Sequence, residues 1–353
     1  MGGPGLAFET WGRVKEKSQV SKARPGPPID RNVLRRISNP RAPVCYCRKG
    51  PTRFYPERVK KILSALVLLF SLFLSVTVAD AQTSPGFRIS WSPAHLESGS
   101  PVLFEIELDK PADALQGKWL DHALAFTKAP EGNKWYALAG IDVEQAPGTY
   151  ALDLTASGDS GREQHASQQV VVLPAHYKTT TLHVEQKFVA PDAATLKLIA
   201  ADKVIKEAAF AHQASEPLWK GSFRSPVPFS PTDSFGTRRM FNGELASIHR
   251  GTDFHAPSGT PVVAANDGVV IIAQGMFYEG NLVVIDHGQN FSTQYMHLSK
   301  IEVTVGERVH KGQRLGLSGA TGRVTGPHLH FGARWQGMYV DAVLLLGMKL
   351  PAL

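Results

Sequence analysis

Residues 326–338 read Gly326-Pro327-His328-Leu329-His330-Phe331-Gly332-Ala333-Arg334-Trp335-Gln336-Gly337-Met338. The run up to Arg334 has the character of a strand, and the Trp335-Gln336-Gly337-Met338 step predicts a tight turn. On a strand, side chains at i and i+2 leave the same face about 7 Å apart, so His328 and His330 converge on one small site. Upstream, Pro261 to Ala265, Val269 to Ala273 and Leu282 to Ile285 are β-branched runs punctuated by glycine, with a hairpin signal at Asp267-Gly268. Residues 229–349 therefore read as an antiparallel β domain.

Working outward, the Pro-rich segment Ser225 to Pro231 marks a boundary. Residues 176–228 form a linker whose stretch from Pro191 and Asp192 to about His212 predicts one amphipathic helix. Its apolar stripe is Leu198, Ala201, Ile205 and Ala208. Residues 82–175 carry short alternating runs, with Val102, Phe104, Ile106 and Leu108 on one face and Glu105 and Glu107 on the other. They predict a small β-sandwich of immunoglobulin-like type, with no cluster of catalytic spacing and so a spacer or docking role. The fold class is mainly β: sandwich, linker helix and C-terminal antiparallel β domain.

The charge is unevenly spread. The chain has 353 residues and a formal charge of +7, yet residues 1–81 hold 15 of the 38 Lys and Arg and 5 of the 31 Asp and Glu. The remaining chain is slightly acidic, which removes the ground for a nucleic-acid partner. Within 1–81, the uncharged run Ile62 to Val78 follows Arg58, Lys60 and Lys61 and precedes Ala79-Asp80-Ala81. This is the pattern of a secretory signal peptide cleaved near Ala81, giving a periplasmic or secreted protein without stable membrane insertion. Val59 is read as an alternative translation start. Cys45 and Cys47 are the only cysteines and lie in this leader, so disulfides, cysteine nucleophiles and thiolate metal ligands are excluded for the exported chain.

Seven of the 13 histidines fall between His249 and His330. In a cysteine-free β domain, that density points to a metal site with nitrogen and oxygen donors. His249-Arg250-Gly251-Thr252-Asp253 gives a His-x-x-x-Asp whose ends share a face if extended, and His328-Leu329-His330 supplies the His-x-His. Each spacing arises readily by chance, and a lone histidine is more often a structural residue than a ligand. His255 reads as a bystander, His287 as a strand-end cap and His310 as surface. Arg238, Arg239 and Asn242 precede the first ligand; the arginines either hold a peptide carboxylate or form a solvated face. No His-Glu-x-x-His helix is present, and the glycines around Ser318 miss the serine-hydrolase elbow.

Order and surroundings separate this pattern from chance. His249-Arg250-Gly251-Thr252-Asp253-Phe254, Gly280 to Gly288, Tyr295-Met296-His297-Leu298, Gly319-Ala320-Thr321-Gly322 and Gly326 to Gly332 occur in sequence. Together they resemble the lysostaphin-type, or LytM-domain, zinc metallopeptidases of bacterial cell walls, over about Ser234 to Asp341. The resemblance implies Zn2+ held by His249, Asp253 and His330, with His297 and His328 as base and oxyanion stabiliser in an order left open. It implies peptide stems of peptidoglycan as substrate and hydrolysis of their cross-links. The alternative is a non-catalytic LytM-domain regulator that binds and activates cell-wall amidases; partners of that kind, or in the divisome, are not specified by the sequence.

Overall fold

A computed structural model describes residues 86–130, 132–158, 163–182, 192–241 and 244–353. The leader with its apolar run 62–78, Cys45, Cys47, Val59 and Ala81, and also Asn242, lies outside the described residues. Among the described residues no helix is long and apolar enough to cross a membrane.

The first nine strands make two sheets. One contains β1 (Phe87–Ser92), β3 (Pro101–Leu108), β7 (Lys134–Gly140) and β6 (Thr127–Lys128), in that order. The other runs β2 (Leu96–Glu97), β9 (Glu163–Leu173), β8 (Gly148–Ser157), β4 (Ala114–Trp119), β5 (His122–Leu124). Val102, Phe104, Ile106 and Leu108 of β3 are buried as their alternation predicts. Phe104 meets Trp119 of the opposite sheet edge-to-face at 5.3 Å, so the two sheets share one core.

After β10 (Thr179–Leu182) comes helix α1 (Ala193–Phe210), started by Asp192, whose carboxylate accepts from the Thr195 amide. The predicted apolar stripe is not the face it turns inward. Leu198, Ala201, Ile205 and Ala208 are exposed, whereas Ile199, Asp202, Lys206, Ala209 and Phe210 are half-buried. Polar anchors at Asp202 and Lys206 orient the helix together with Ala209 and Phe210, which pack against Ile272, Met276, Leu282 and Val284: Asp202 accepts from the Phe277 amide at 2.7 Å, and Lys206 pairs with Glu279.

The following chain builds β11 (Pro231–Asp233), β12 (Arg238–Phe241), β13 (Glu244–Ile248), β14 (Thr252–Phe254), β15 (Pro261–Val263) and β16 (Gly268–Met276). It continues through β17 (Gly280–Asp286), β18 (Phe291–Leu298), β19 (Lys300–Ile301), β20 (Arg308–Val309), β21 (Arg314–Leu317), β22 (Leu329–Trp335), β23 (Met338–Val340) and helix α2 (Ala342–Gly347). The main sheet has the order β11-β14-β22-β18-β17-β16-β20, with β23 paired to β22. The predicted turn joins β22 to β23, with Gln336 and Gly337 both at positive φ.

Asp267-Gly268 is not a hairpin. β15 pairs with β21 in a separate three-stranded sheet, while β16 pairs with β17 and β20. Gly268 is there for close approach: a Cβ would lie 2.4 Å from the Asp286 carbonyl oxygen. Asp267 accepts from the Lys311 amide at 2.7 Å.

Candidate metal centre

The centre lies where β14, β22 and β18 adjoin. Asp253 and His330 are direct cross-strand partners on β14 and β22, and Met296 of β18 faces His330 from the other side. His249 does not share an extended strand with Asp253; it follows the end of β13, and the chain turns through Arg250 and Gly251 before β14 begins. Gly251 makes that turn possible beside the site, because a Cβ there would meet His330 Nε2 at 2.3 Å.

Three donor atoms converge. His249 Nε2 is 3.2 Å from Asp253 Oδ1 and 3.1 Å from His330 Nδ1, and His330 Nδ1 is 2.9 Å from Asp253 Oδ1. Ligands about 2.0–2.2 Å from a tetrahedral zinc stand roughly 3.3 Å apart, so the triangle fits such an ion with slight contraction. The other nitrogen of His249 faces the Ser234 carbonyl at 3.0 Å, a contact that fixes the tautomer and aims Nε2 inward. Burial would raise the Asp253 carboxyl, but hydrogen bonds from His249 and His330 outweigh it and hold the group well below the carboxylate range.

Two further imidazoles flank the triangle. His297 lies in the left-handed region with φ of 63°. Between Asn281 and Val283 of β17, the single residue Leu282 faces both Met296 and His297 of β18, a bulge that re-aims the histidine. Its Nδ1 donates to the Thr321 carbonyl at 3.0 Å. Gly280 gives Thr321 room, since a Cβ would come within 2.4 Å of its carbonyl. His328 repeats the device, with Nδ1 donating to the Gly326 carbonyl at 2.9 Å. The Nε2 lone pair of each ring therefore remains available for chemistry. The rings are 4.9 Å apart, and His328 Nε2 is 3.6 Å from Asp253 Oδ1. Burial, followed by the neighbouring His330 and His328, lowers the His297 pKa to about 3, so this ring is neutral at physiological pH.

All five predicted residues line one cavity of about 340 Å³. It also takes in residues that no sequence pattern placed at the site: Lys203 and Lys206 of α1, Tyr278 and Glu279 of the β16–β17 turn, and Arg323. Arg239, also in the lining, is buried and so departs from a solvated face, whereas Arg238 is exposed. His255 and His310 are exposed, as expected. His287 is more than a strand cap: it is fully buried between the Asp267 carbonyl and the Thr293 hydroxyl, each at 2.7 Å.

A His-Asp-His donor triangle with two flanking imidazoles on an antiparallel sheet defines the metallopeptidase class of site. Residues 247–342 match the family described as Peptidase family M23, so this part of the chain is an M23, LytM-type peptidase domain. Over 113 residues the chain is 55% identical to the peptidoglycan DD-endopeptidase ShyA of Vibrio cholerae serotype O1, covering 32% of this chain and 26% of that protein. Over 126 residues it is 44% identical to the DD-carboxypeptidase/endopeptidase Mpg of Neisseria meningitidis serogroup B, covering 35% and 29%. The chain thus spans between a quarter and a third of the length of these relatives. A Pseudomonas aeruginosa crystal structure assigned to peptidase M23 superposes with a TM-score of 0.53 at 26% identity, covering 71% of this chain and 94% of the other.

Proposed function

We propose that the protein is an exported zinc endopeptidase that hydrolyses peptide cross-links in peptidoglycan. The observation that carries this is the donor triangle beside two imidazoles whose Nδ1 atoms are both tied to backbone carbonyls. The names of the relatives supply the substrate class. The predicted signal peptide supplies the location, periplasmic or secreted.

His249, Asp253 and His330 would hold the ion. Zinc supplies Lewis acidity at the scissile carbonyl and brings the pKa of a bound water towards 7. The protein's own part is proton management. A neutral imidazole with its Nδ1 proton engaged presents Nε2 as an acceptor, so one of His297 and His328 takes the proton of the attacking water. The other hydrogen-bonds the developing oxyanion, for which its Nε2 must first take up a proton from solvent. Retention of all five residue types favours catalysis over the amidase-regulator alternative.

The test is incubation with purified cross-linked peptidoglycan, followed by mass analysis of released muropeptides. Cross-linked dimers disappear with the wild-type chain and persist with chelator or with Asp253→Ala. His328→Ala keeps its zinc and loses turnover at least a hundredfold, whereas His330→Ala loses both. Undiminished dimers in the presence of bound zinc would overturn the enzymatic reading in favour of the regulator.

A further inference from the structure

His297 holds a left-handed backbone conformation, with φ of 63°, that a residue other than glycine keeps only where its surroundings fix it from several sides. Two of the ties on it lead to one residue. The Thr321 carbonyl accepts the ring Nδ1–H at 3.0 Å, and the Thr321 hydroxyl donates at 2.7 Å to the carbonyl of Leu298, the next residue along β18. The same hydroxyl accepts the Asn281 amide of β17 at 2.9 Å. A single side chain therefore joins its loop to both strands that form the bulge, and this junction aims the Thr321 carbonyl at the imidazole. Beside it the approach is backbone on backbone: Gly280 and Gly322 face each other at positive φ, and a Cβ on Gly322 would lie 2.2 Å from the Gly280 nitrogen. His328 is held separately, its ring tied at 2.9 Å to the Gly326 carbonyl further along the chain.

We propose that Thr321 is a positioning residue for His297: its hydroxyl sets the carbonyl that keeps the imidazole in the Nδ1–H tautomer, with the Nε2 lone pair free. A carbonyl only accepts, so the contact selects this tautomer by leaving the other without a donor there. The other tautomer carries its proton on Nε2 and has no lone pair at that atom with which to take one from water. The effect on turnover rests on the endopeptidase reading above; the effect on the ring does not. Loss of the hydroxyl frees the Asn281 amide and one of two donors on the Leu298 carbonyl. That carbonyl keeps the Asn281 side-chain amide at 2.9 Å, so Thr321→Val, equal in shape, loosens the junction without stripping the bulge of its remaining ties.

The experiment compares Thr321→Val and Thr321→Ser with the wild type, each as the full chain loaded with zinc. Ring nitrogen chemical shifts of His297 and His328 are recorded by NMR, together with zinc content and with kcat and KM on a soluble cross-linked muropeptide dimer. In the wild type both rings carry their proton on Nδ1. In Thr321→Val the His297 nitrogens move towards the average of two tautomers, those of His328 stay in place and zinc content is unchanged. In the same variant kcat falls roughly tenfold or more at unchanged KM. Thr321→Ser, which keeps the hydroxyl, restores the shifts and the rate. A His297 tautomer that is the same in Thr321→Val overturns the proposal, and so does a loss that Thr321→Ser fails to recover. Equal disturbance of both rings, or loss of zinc, would mean a general loosening of the site and overturns it too. Absence of cleavage by the wild type, with the His297 shifts still dependent on the hydroxyl, overturns the endopeptidase reading and leaves the positioning role standing.

Discussion

The β-sandwich and helix α1 are both attached to the peptidase domain, by opposite means. The sandwich is joined through buried contacts. Gln289, 1% exposed, sits in the β17–β18 turn and donates to the Ala125 and Tyr136 carbonyls at 3.0 and 3.1 Å, while its Oε1 accepts from the Leu138 amide at 3.0 Å. The Trp335 indole donates to the Gln289 carbonyl at 3.2 Å. Gly140 lies so close to β23 that a Cβ would meet Val340 at 2.6 Å. Helix α1 has no fully buried residue and is held by Asp202, by Lys206, by half-buried Ala209 and Phe210 against the cluster of Ile272, Met276, Leu282 and Val284, and by the Arg334 guanidinium over the Phe210 ring, 3.8 Å from its centre. The sandwich is thus a fixed part of the body that carries the site. The helix forms one wall of the cavity through contacts that are each worth only about 1 kcal/mol.

Gln289→Ala attacks the stronger attachment. It leaves the Leu138 amide and two carbonyls without their partner inside an apolar interface, at about 1–3 kcal/mol for each group that water cannot reach. We expect a fall in global stability of about 3 kcal/mol, seen as a lower urea midpoint at unchanged slope, with sandwich and peptidase domain still unfolding together. Separate transitions for the two would show that the attachment depends on this residue alone.

Acid probes the same body by another route. Burial lowers the His287 pKa to about 4, with partial opposition from its contact to the Asp267 carbonyl. The unfolded chain therefore takes up this proton as pH falls below about 6.5, and the folded chain takes it up only near 4. The stability that neutral His287 contributes is complete above that window and is lost across it, by about 3 kcal/mol. Urea titrations at pH 7 and pH 4.5 should show the loss, and His287→Asn should flatten it. An undiminished slope in the variant would assign the acid sensitivity to another group.

Gly140→Ala is a milder insult to the sandwich attachment. The added methyl must displace Val340 and, at 3.3 Å, Trp335, for about 1–3 kcal/mol of overpacking. The expected outcome is a Tm several degrees lower with zinc content unchanged, because neither Val340 nor Trp335 belongs to the donor triangle of His249, Asp253 and His330. Loss of zinc in this variant would show that the interface tunes the site.

These contrasts also mark what was legible in the sequence. Alternation along β3 and the spacing in His328-Leu329-His330 describe local geometry, and local geometry is what one strand's residues encode. The positions that escaped depend on contacts distant in sequence. The bulge at Met296 and His297 puts a histidine in a backbone region that its own propensity disfavours, and only the pairing with β17 reveals it. Gln289 and Glu279 are single polar residues in turns, indistinguishable by pattern from solvated ones until their partners are known. The inward face of α1 ran against periodicity for a related reason. An apolar stripe selects a face when apolar burial outweighs the other contacts a helix makes, and here two polar anchors and the packing of Ala209 and Phe210 at its last turn set the orientation.

Asp202→Ala makes the sharpest use of the difference between the two attachments, through the smallest change in stability. Asp202 accepts the Phe277 amide at 2.7 Å from a half-buried position, and its loss removes one of the ties on α1. Because no residue of the helix is fully buried, global stability should change by less than about 1 kcal/mol. Local opening should become much more frequent, since a tie worth about 1 kcal/mol is roughly a fivefold shift in an equilibrium confined to the helix. Amide exchange within 193–210 should therefore quicken about fivefold while the amides of β17 and β18 are unaffected. If exchange in β17 and β18 quickened equally, α1 would be a cooperative part of the body, and the distinction between a fixed sandwich and a releasable wall would be lost.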